Sequence, residues 1–208
     1  MLKMWGRSSS GNVQKAMWAV GELGLECERL DVGGQFGKTK EPPYSDMNPN
    51  ALVPTLEEED GFILWESNSI VRYLARKHGA GVLEPHDPKA RALASQWMDW
   101  QLSVLGPAIT PLFWGLVRTP PEKRDYNAID AARTKTTEAM KILDWGLGKH
   151  AFVANDTFSM GDIPVGVMAF RYRKLVPEHP PMPNVVRWLD EITKRPAFHK
   201  HIGSLPLT

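Results

Sequence analysis

The residues with the clearest potential for chemistry lie near the N-terminus, where a short apolar run ends in polar side chains. Ser8, Ser9 and Ser10 follow that run, and Asn12 comes just before a helical pattern is established. Serine and asparagine are favoured N-cap residues, and a helix that begins here presents unpaired backbone N–H groups and a partial positive charge. Such a helix end favours an anion, although a plain capping role explains the same residues.

The composition of the 208-residue chain limits its classes of function. With 25 basic and 24 acidic side chains the net charge is +1, so no global field draws it to nucleic acid or to an anionic membrane. No apolar run approaches the length of a membrane span, and the N-terminus lacks the apolar core of a signal peptide. We therefore expect a cytoplasmic protein that binds neither nucleic acid nor a membrane. The single cysteine, Cys27, fits a reducing compartment, and no residue spacing predicts a metal site.

The elements that must position the serines alternate between strand and helix. Residues 2–6 predict a strand, residues 11–23 an amphipathic helix, and residues 27–32 a second strand. This order is the βαβ signature of a parallel pair with a right-handed crossover. The Gly-, Pro- and Lys-rich residues 33–50 predict mostly loop, with one or two helical turns at most.

A hairpin and a second helix complete the first half of the chain. Residues 53–57 and 62–65 flank Asp60-Gly61, which is a strong signal for two antiparallel strands. Ser67 then predicts the N-cap of a helix that runs toward His78. The sequence therefore predicts two helix N-termini that favour anions in one small domain.

The second half of the chain predicts helices alone, because no convincing strand follows Pro88. Helical periodicity covers residues 90–105, 123–147 and 183–194. We expect Pro107 and Pro111 to bend or interrupt the first of these helices. A capping box predicts that Ser159 caps another helix while Asp162 reaches back to the Ser159 N–H, which gives Asp162 a structural and not a catalytic role.

Three segments together resemble the soluble, cytosolic glutathione transferases, of the serine type and the theta-like bacterial branch. They are residues 7–15 (RSSSGNVQK), residues 48–56 (NPNALVPTL) and residues 65–74 (WESNSIVRYL). The resemblance implies an α/β thioredoxin-like N-terminal domain plus an all-α helical C-terminal domain. The expected boundaries are 1–78 for the glutathione-binding domain, 79–87 for the linker and 88–208 for the helical domain.

The resemblance implies that glutathione is the co-substrate, with no further cofactor, and that the first helix end holds its thiolate. A thiol with a pKa of about 8.5 is mostly protonated at neutral pH, and lowering that pKa by about two units needs roughly 2.7 kcal/mol. A hydroxyl donor and the helix dipole together supply this amount. Ser10 best matches the family's serine, as a donor and not a nucleophile. Ser8, Ser9 and an amide donor at Asn12 stay open.

The same resemblance implies contacts with the rest of the tripeptide. The backbone of Val53, before the family's cis proline at Pro54, would pair with the cysteinyl unit. Glu66 would accept from the γ-glutamyl ammonium, and Ser67 would donate to the neighbouring carboxylate. The glycyl carboxylate would meet a residue of the loop after the second strand, for which the options are Lys40, Lys38 and Gln35.

The second substrate is expected to be a small apolar electrophile, held between the first-strand turn and the first helix of the helical domain. Trp5, Arg7, Phe113 and Trp114 would line this pocket, although the last two fit a core or a dimer interface equally well. Two other functions stay open: glutathione-dependent reduction of a disulfide or peroxide, and a non-catalytic glutathione-binding module. The family implies a homodimer.

Overall fold

The computed structural model describes residues 1–207 and divides into two compact units. The first unit consists of Met1–Glu84 and Pro196–Pro206, and the second contains Pro85–Arg195. This division differs from the boundaries expected from the sequence at residues 196–206, which belong with the first unit. The expected boundaries stay predictions, and their end at Thr208 lies outside the described residues.

The first unit contains a four-stranded mixed sheet in the order β2-β1-β3-β4. Its strands are β1 (Leu2–Trp5), β2 (Cys27–Leu30), β3 (Thr55–Glu57) and β4 (Ile63–Trp65). β1 pairs in parallel with β2 and antiparallel with β3, and β3 pairs antiparallel with β4. The parallel pair and the hairpin are confirmed. β3 is shorter than expected because Pro54 has no N–H to donate to the ladder.

Helices α1 (Gly11–Glu22) and α3 (Ser67–His78) pack against each other in this unit, and the short α2 (Tyr44–Met47) lies in the long loop. The helix start at Ser10, which is the N-cap of α1, agrees with the sequence. The prediction that Ser67 caps α3 is wrong, because the N-cap is Glu66. Glu66 has φ 72° and ψ 111°, outside the helical region, whereas Ser67 already belongs to the helix.

Helices make up the second unit. They are α4 (Pro88–Trp100), α5 (Gly106–Phe113), α6 (Tyr126–Leu147), α7 (Asp162–Leu175) and α8 (Pro183–Thr193). A π-helical turn over Gln101–Leu105 joins α4 to α5, and another over Trp114–Arg118 follows α5. Pro107 and Pro111 therefore do not interrupt the helical run. Pro107 is the second residue of α5, just past the π-helical turn, and Pro111 lies inside the same helix.

The continuous run Pro88–Arg118 contains 31 residues and is long and apolar enough to cross a membrane by length and composition alone. This corrects the expectation that no segment approaches a membrane span. Core helices of soluble proteins also meet these two criteria. Only 22% of the most apolar 18-residue stretch of this run is buried.

The carboxylate of Asp162 is fully buried in the second unit and joins three segments. It accepts from the Ser159 N–H at 2.9 Å, the Val153 N–H at 3.0 Å and the Trp188 indole N–H at 2.9 Å. The reach back to Ser159 is confirmed, but the N-cap of α7 is Gly161 and not Ser159. Burial raises the pKa of Asp162 to about 6, although these donors favour the charged form. The contacts agree with a structural role.

Candidate active site

Ser10 occupies the N-cap of α1 without using its side chain as a cap. Its backbone N–H donates to the Arg7 carbonyl at 3.2 Å, and its carbonyl accepts from the Gln14 N–H at 2.9 Å. Its φ of −75° and ψ of 124° are extended, and the hydroxyl makes no capping hydrogen bond. The hydroxyl therefore lies beside the unpaired N–H groups of the first helical turn without capping any of them.

A small cleft of about 40 Å³ brings together residues that are far apart in the sequence. Five of the site residues expected from the sequence line it: Asn12, Val53, Pro54, Glu66 and Ser67. The sequence expectation did not include three further lining residues: Asn48, Asn50 and Leu52. Ser10 is not among the described residues that line this cleft, although it adjoins the helix turn that contains Asn12.

The N-termini of α1 and α3 meet at this cleft. The Ser67 hydroxyl donates to the Asn12 side-chain oxygen at 3.4 Å, which links the first turns of the two helices. Ser67 is buried and Asn12 is exposed. Each helix end has unpaired N–H groups and a partial positive charge, so the cleft favours a ligand with negative charge.

Glu66 supplies the negative charge of the cleft. Its carboxylate is the only one among the described residues that line the cleft, and the residue is exposed. Its φ of 72° lies in the left-handed region, which is uncommon for a side-chain-bearing residue and costs roughly 1–3 kcal/mol. A strained residue at a cleft is a common feature of binding sites, and here it places a carboxylate next to two positive helix ends.

The backbone before Val53 is fixed by a network that the sequence analysis missed. Asn48 is buried, and its side-chain N–H group donates to the Leu52 carbonyl at 2.8 Å and to the Thr55 hydroxyl at 3.1 Å. The Tyr44 hydroxyl also donates to the Leu52 carbonyl. The Val53–Pro54 peptide bond is cis, as expected. The Asn-Pro-Asn triplet offered a signal for Asn48, but nothing in the sequence singled out Tyr44.

The three candidates for the glycyl carboxylate, Gln35, Lys38 and Lys40, are all exposed on the loop after β2. They are not among the described residues of the small cleft. Arg7 lies against this loop, because a Cβ added to Gly34 would be 2.8 Å from the Arg7 Nε atom. Gly34 has φ 59° and leaves room for the guanidinium. The roles of Arg7 and of the three loop residues stay predictions.

The other residues expected to line the second-substrate pocket are Trp5 in the first unit and Phe113 and Trp114 in the second. The Trp5 indole donates to the Glu57 carboxylate at 2.8 Å, and its ring centroid is 6.3 Å from that of Tyr44. The hydrogen bond from Trp5 lowers the pKa of Glu57 below its usual value. In the second unit, Phe113 is half-buried and Trp114 is 60% exposed. Their roles with a second substrate stay predictions.

Cys27 does not belong to a reactive or metal-binding cluster. Burial, together with the neighbouring Glu28 charge, raises the pKa of its thiol to about 11, so the thiol stays protonated at neutral pH. The residue is half-buried at the start of β2. Within residues 1–207, no three His, Cys, Asp or Glu side chains converge on a common point.

Comparison with known proteins identifies the family. The model of the glutathione S-transferase N-terminal domain matches residues 1–76, and that of the C-terminal domain matches residues 105–196. Glutathione S-transferase GstB of Escherichia coli K12 is 40% identical over 201 residues, which cover 96% of this chain and 97% of GstB. Glutathione S-transferase D7 of Drosophila melanogaster is 31% identical over 88% of this chain and 80% of its own.

A solved structure gives the same result. The theta class glutathione S-transferase of Xanthomonas axonopodis pv. citri, crystallised with glutathione bound, superposes with a TM-score of 0.92 at 40% identity. The match covers 100% of this chain and 99% of that one. This chain accordingly has a thioredoxin-like unit with a mixed sheet and a helical unit. The chain therefore belongs to the glutathione S-transferase family: it is an enzyme of that family, and glutathione is its co-substrate.

Proposed function

We propose that glutathione binds along the first unit, with its γ-glutamyl end in the cleft and its sulfur at the N-terminus of α1. The observation that carries this proposal is the convergence of two helix N-termini on one carboxylate, Glu66. Glutathione has a γ-glutamyl group with one ammonium and one carboxylate, and the cleft offers a complementary charge for each. The Xanthomonas relative with bound glutathione supports the assignment.

On binding, the Ser67 hydroxyl turns its one hydrogen from the Asn12 side-chain oxygen to the γ-glutamyl carboxylate, which also accepts from backbone N–H groups at the start of α3. The ammonium donates to Glu66, whose carboxylate is exposed and so reachable from solvent. The backbone of Val53 pairs with the cysteinyl unit as an added strand would. The glycyl carboxylate is held by Lys40 of the loop after β2, with Lys38 and Gln35 as alternatives.

Ser10 stabilises the thiolate by donating its hydroxyl hydrogen to sulfur. The hydroxyl suits this role because it makes no capping bond and lies at the positive end of α1. Asn12 is the alternative donor, through the N–H group of its side-chain amide. Both donors act by favouring the charged form of sulfur, which lowers the pKa of the thiol.

The thiolate then attacks a small apolar electrophile. A sulfur lone pair forms the new S–C bond, and the bond to the leaving group breaks with its electron pair, so no redox partner is needed. We propose that the enzyme works in the cytoplasm as a homodimer.

Substitution of Ser10 tests the proposal most directly. In Ser10→Ala we expect the ultraviolet absorbance of bound thiolate to disappear at neutral pH, and kcat/KM with an aryl halide to fall about 10²-fold, as for loss of one oriented donor. Asn12→Ala tests the alternative donor, and Ser204→Ala is the control because Ser204 is exposed at the other end of the chain. Turnover with a small disulfide, run in parallel, measures the reductase alternative.

An unchanged thiolate signal in Ser10→Ala, with the signal lost in Asn12→Ala, would transfer the role to Asn12. A signal that persists in both variants would overturn the placement of sulfur at this helix end. Circular dichroism of each variant shows that the fold is retained. Turnover with the disulfide alone would replace conjugation with reduction.

A further inference from the structure

Tyr44 and Asn48 are the buried residues of the segment 41–50, whose other members are half-buried or exposed. Tyr44 is 1% exposed and Asn48 is 3% exposed. They are four residues apart, so both lie on the same side of the short helical turn α2, and the Asn48 N–H donates to the Tyr44 carbonyl at 3.0 Å. Both polar side chains therefore face the interior, where each donor and acceptor needs a partner.

The hydrogen bonds of these two side chains run in one direction and end at the Leu52 carbonyl. The Asn48 amide donates one N–H to the Thr55 hydroxyl at 3.1 Å and the other to the Leu52 carbonyl at 2.8 Å. The Thr55 hydroxyl donates to the Tyr44 hydroxyl at 2.9 Å, which donates in turn to the Leu52 carbonyl. Because a hydroxyl has one hydrogen to give and a carbonyl has none, this direction gives the Leu52 carbonyl two donors. Burial raises the pKa of Tyr44 above its ordinary value, so the hydroxyl keeps that hydrogen.

The Leu52 carbonyl belongs to the same peptide group as the Val53 N–H. This peptide group is trans, since the cis bond lies one residue later, between Val53 and Pro54. In a trans peptide group the C=O and the N–H point in opposite directions. The two buried donors that hold the carbonyl therefore direct the Val53 N–H away from the buried network, and Val53 lines the glutathione cleft. Among residues 1–207 this N–H has no hydrogen-bond partner.

Two donors on one carbonyl also affect the strength of the N–H on the other side of the peptide group. Hydrogen bonds to the Leu52 oxygen polarise the peptide group, and this makes the Val53 N–H a better donor. The network thus provides a fixed and polarised donor at the cleft, and a carbonyl of the bound peptide is the partner that it lacks.

We propose that Tyr44 is a positioning residue for glutathione, which acts through the Leu52 carbonyl with Asn48 as the second donor. It sets the direction of the Val53 N–H, which donates to the carbonyl of the cysteinyl unit. This inference rests on the proposed placement of that unit along Val53. Tyr44 acts at a distance, because it is 1% exposed and is not among the described residues that line the cleft.

Tyr44→Phe removes the hydroxyl and keeps the ring, which packs edge-on against Trp5 with centroids 6.3 Å apart. We expect KM for glutathione and Kd for S-hexylglutathione each to rise about fivefold, as for loss of one hydrogen bond. We expect kcat with an aryl halide to stay within about twofold, because Val53 pairs with a part of glutathione that does not react.

Tyr172→Phe is the matched control. Tyr172 is a buried tyrosine of the second unit, and its hydroxyl shares a hydrogen bond of 2.9 Å with the Thr137 hydroxyl. The control therefore also loses a buried hydroxyl next to a threonine. Its urea midpoint should fall as that of Tyr44→Phe does, while its KM for glutathione should not change.

Asn48→Ala removes the other donor to the Leu52 carbonyl and provides a second test. We expect KM for glutathione to rise about fivefold in this variant too, again with kcat retained. The variant keeps the proposal testable if Tyr44→Phe does not fold.

Hydrogen exchange of the Val53 N–H in the full chain labelled with [15N]valine separates this inference from the proposed function. In the wild type we expect S-hexylglutathione to slow the exchange, and in Tyr44→Phe we expect less protection at the same occupancy. No slowing in the wild type would overturn the placement of glutathione along Val53, and this inference with it. Slowing in the wild type, with KM unchanged in Tyr44→Phe and Asn48→Ala, would overturn the role of Tyr44 alone. An equal rise of KM in Tyr172→Phe would also overturn that role, because it would reveal a general loss of stability.

Discussion

Glu66 has a left-handed φ, which lowers stability, and a carboxylate at the cleft, which we expect to favour binding of glutathione. Glycine removes the backbone strain, so we expect Glu66→Gly to raise the free energy of unfolding by about 0.5–1 kcal/mol. The same change removes the partner of the γ-glutamyl ammonium, so we expect KM for glutathione to rise at least about tenfold. Urea denaturation and steady-state kinetics measure the two effects separately.

Two further variants separate charge from backbone at this position. Glu66→Gln keeps the strain and removes the charge, so KM should rise, and the free energy of unfolding should fall by about 0.3–1 kcal/mol because a carboxylate at a helix N-terminus is stabilising. Glu26→Gln is the matched control, because Glu26 is an exposed acid that does not line the cleft. If Glu66→Gln left KM unchanged, the carboxylate would have no role in binding glutathione.

The thiol of Cys27 gives a second prediction at the scale of one residue. Its pKa is raised to about 11, above the usual value for a thiol, because burial disfavours the charged thiolate. The thiolate is the reactive species, so alkylation should accelerate about tenfold per pH unit from pH 8 to pH 10 and level off near pH 11. Mass spectrometry of the alkylated chain measures this profile. A plateau near pH 9, as for a free thiol, would show that Cys27 is fully solvated.

Among the elements, the start of α7 depends most on one side chain. Asp162 joins α7 to the loop at Val153 and to Trp188 of α8, and every contact uses its oxygens as acceptors. An asparagine has one acceptor oxygen and would direct an N–H group at these donors. We therefore expect Asp162→Asn to lower the free energy of unfolding by about 3 kcal/mol.

The urea midpoint measures this effect, and the glutathione cleft offers an internal control. Asp162 is in the second unit and the cleft is in the first, so KM for glutathione should not change in the folded variant. Asp130→Asn is the matched substitution, because Asp130 is exposed and its carboxylate pairs, among residues 1–207, with Arg133 of the same helix alone. Equal midpoints for the two variants would show that the buried network contributes little.

Local sequence patterns predicted some of the helices and strands correctly and missed other features. Local signals placed the start of α1 at Ser10, the parallel β1–β2 pair and the hairpin, because turn residues and apolar periodicity act over a few residues. They misplaced the cap of α3, because the left-handed φ of Glu66 is set by the surrounding fold. The Tyr44 and Asn48 network was also missed, since α2 is too short to show any periodicity and its partners are set by the loop's path.

For the whole molecule, a net charge of +1 means that the attraction for glutathione is local. The two helix ends and Glu66 lie in the first unit, and they act over a few ångströms, where dipoles are effective. The second unit also leaves some apolar side chains in contact with water. In the run Pro88–Arg118, Leu93 and Val104 are each 39% exposed.

This exposed apolar helix is the feature that a homodimer explains best. A second copy of the chain would cover apolar side chains that a lone chain leaves in water. The run has 31 residues, and only 22% of its most apolar stretch is buried, so its burial in a dimer interface would favour association.

We expect light scattering in detergent-free buffer to give about twice the 23.4 kDa of one chain. Leu93→Glu combined with Val104→Glu should shift the mass to that of one chain, because charges placed in an apolar interface are costly. Val186→Glu, an equally exposed apolar position on α8, is the matched control and should keep the larger mass. A wild-type mass of one chain, or recovery of the protein only with detergent, would mean that something other than a second copy covers this helix.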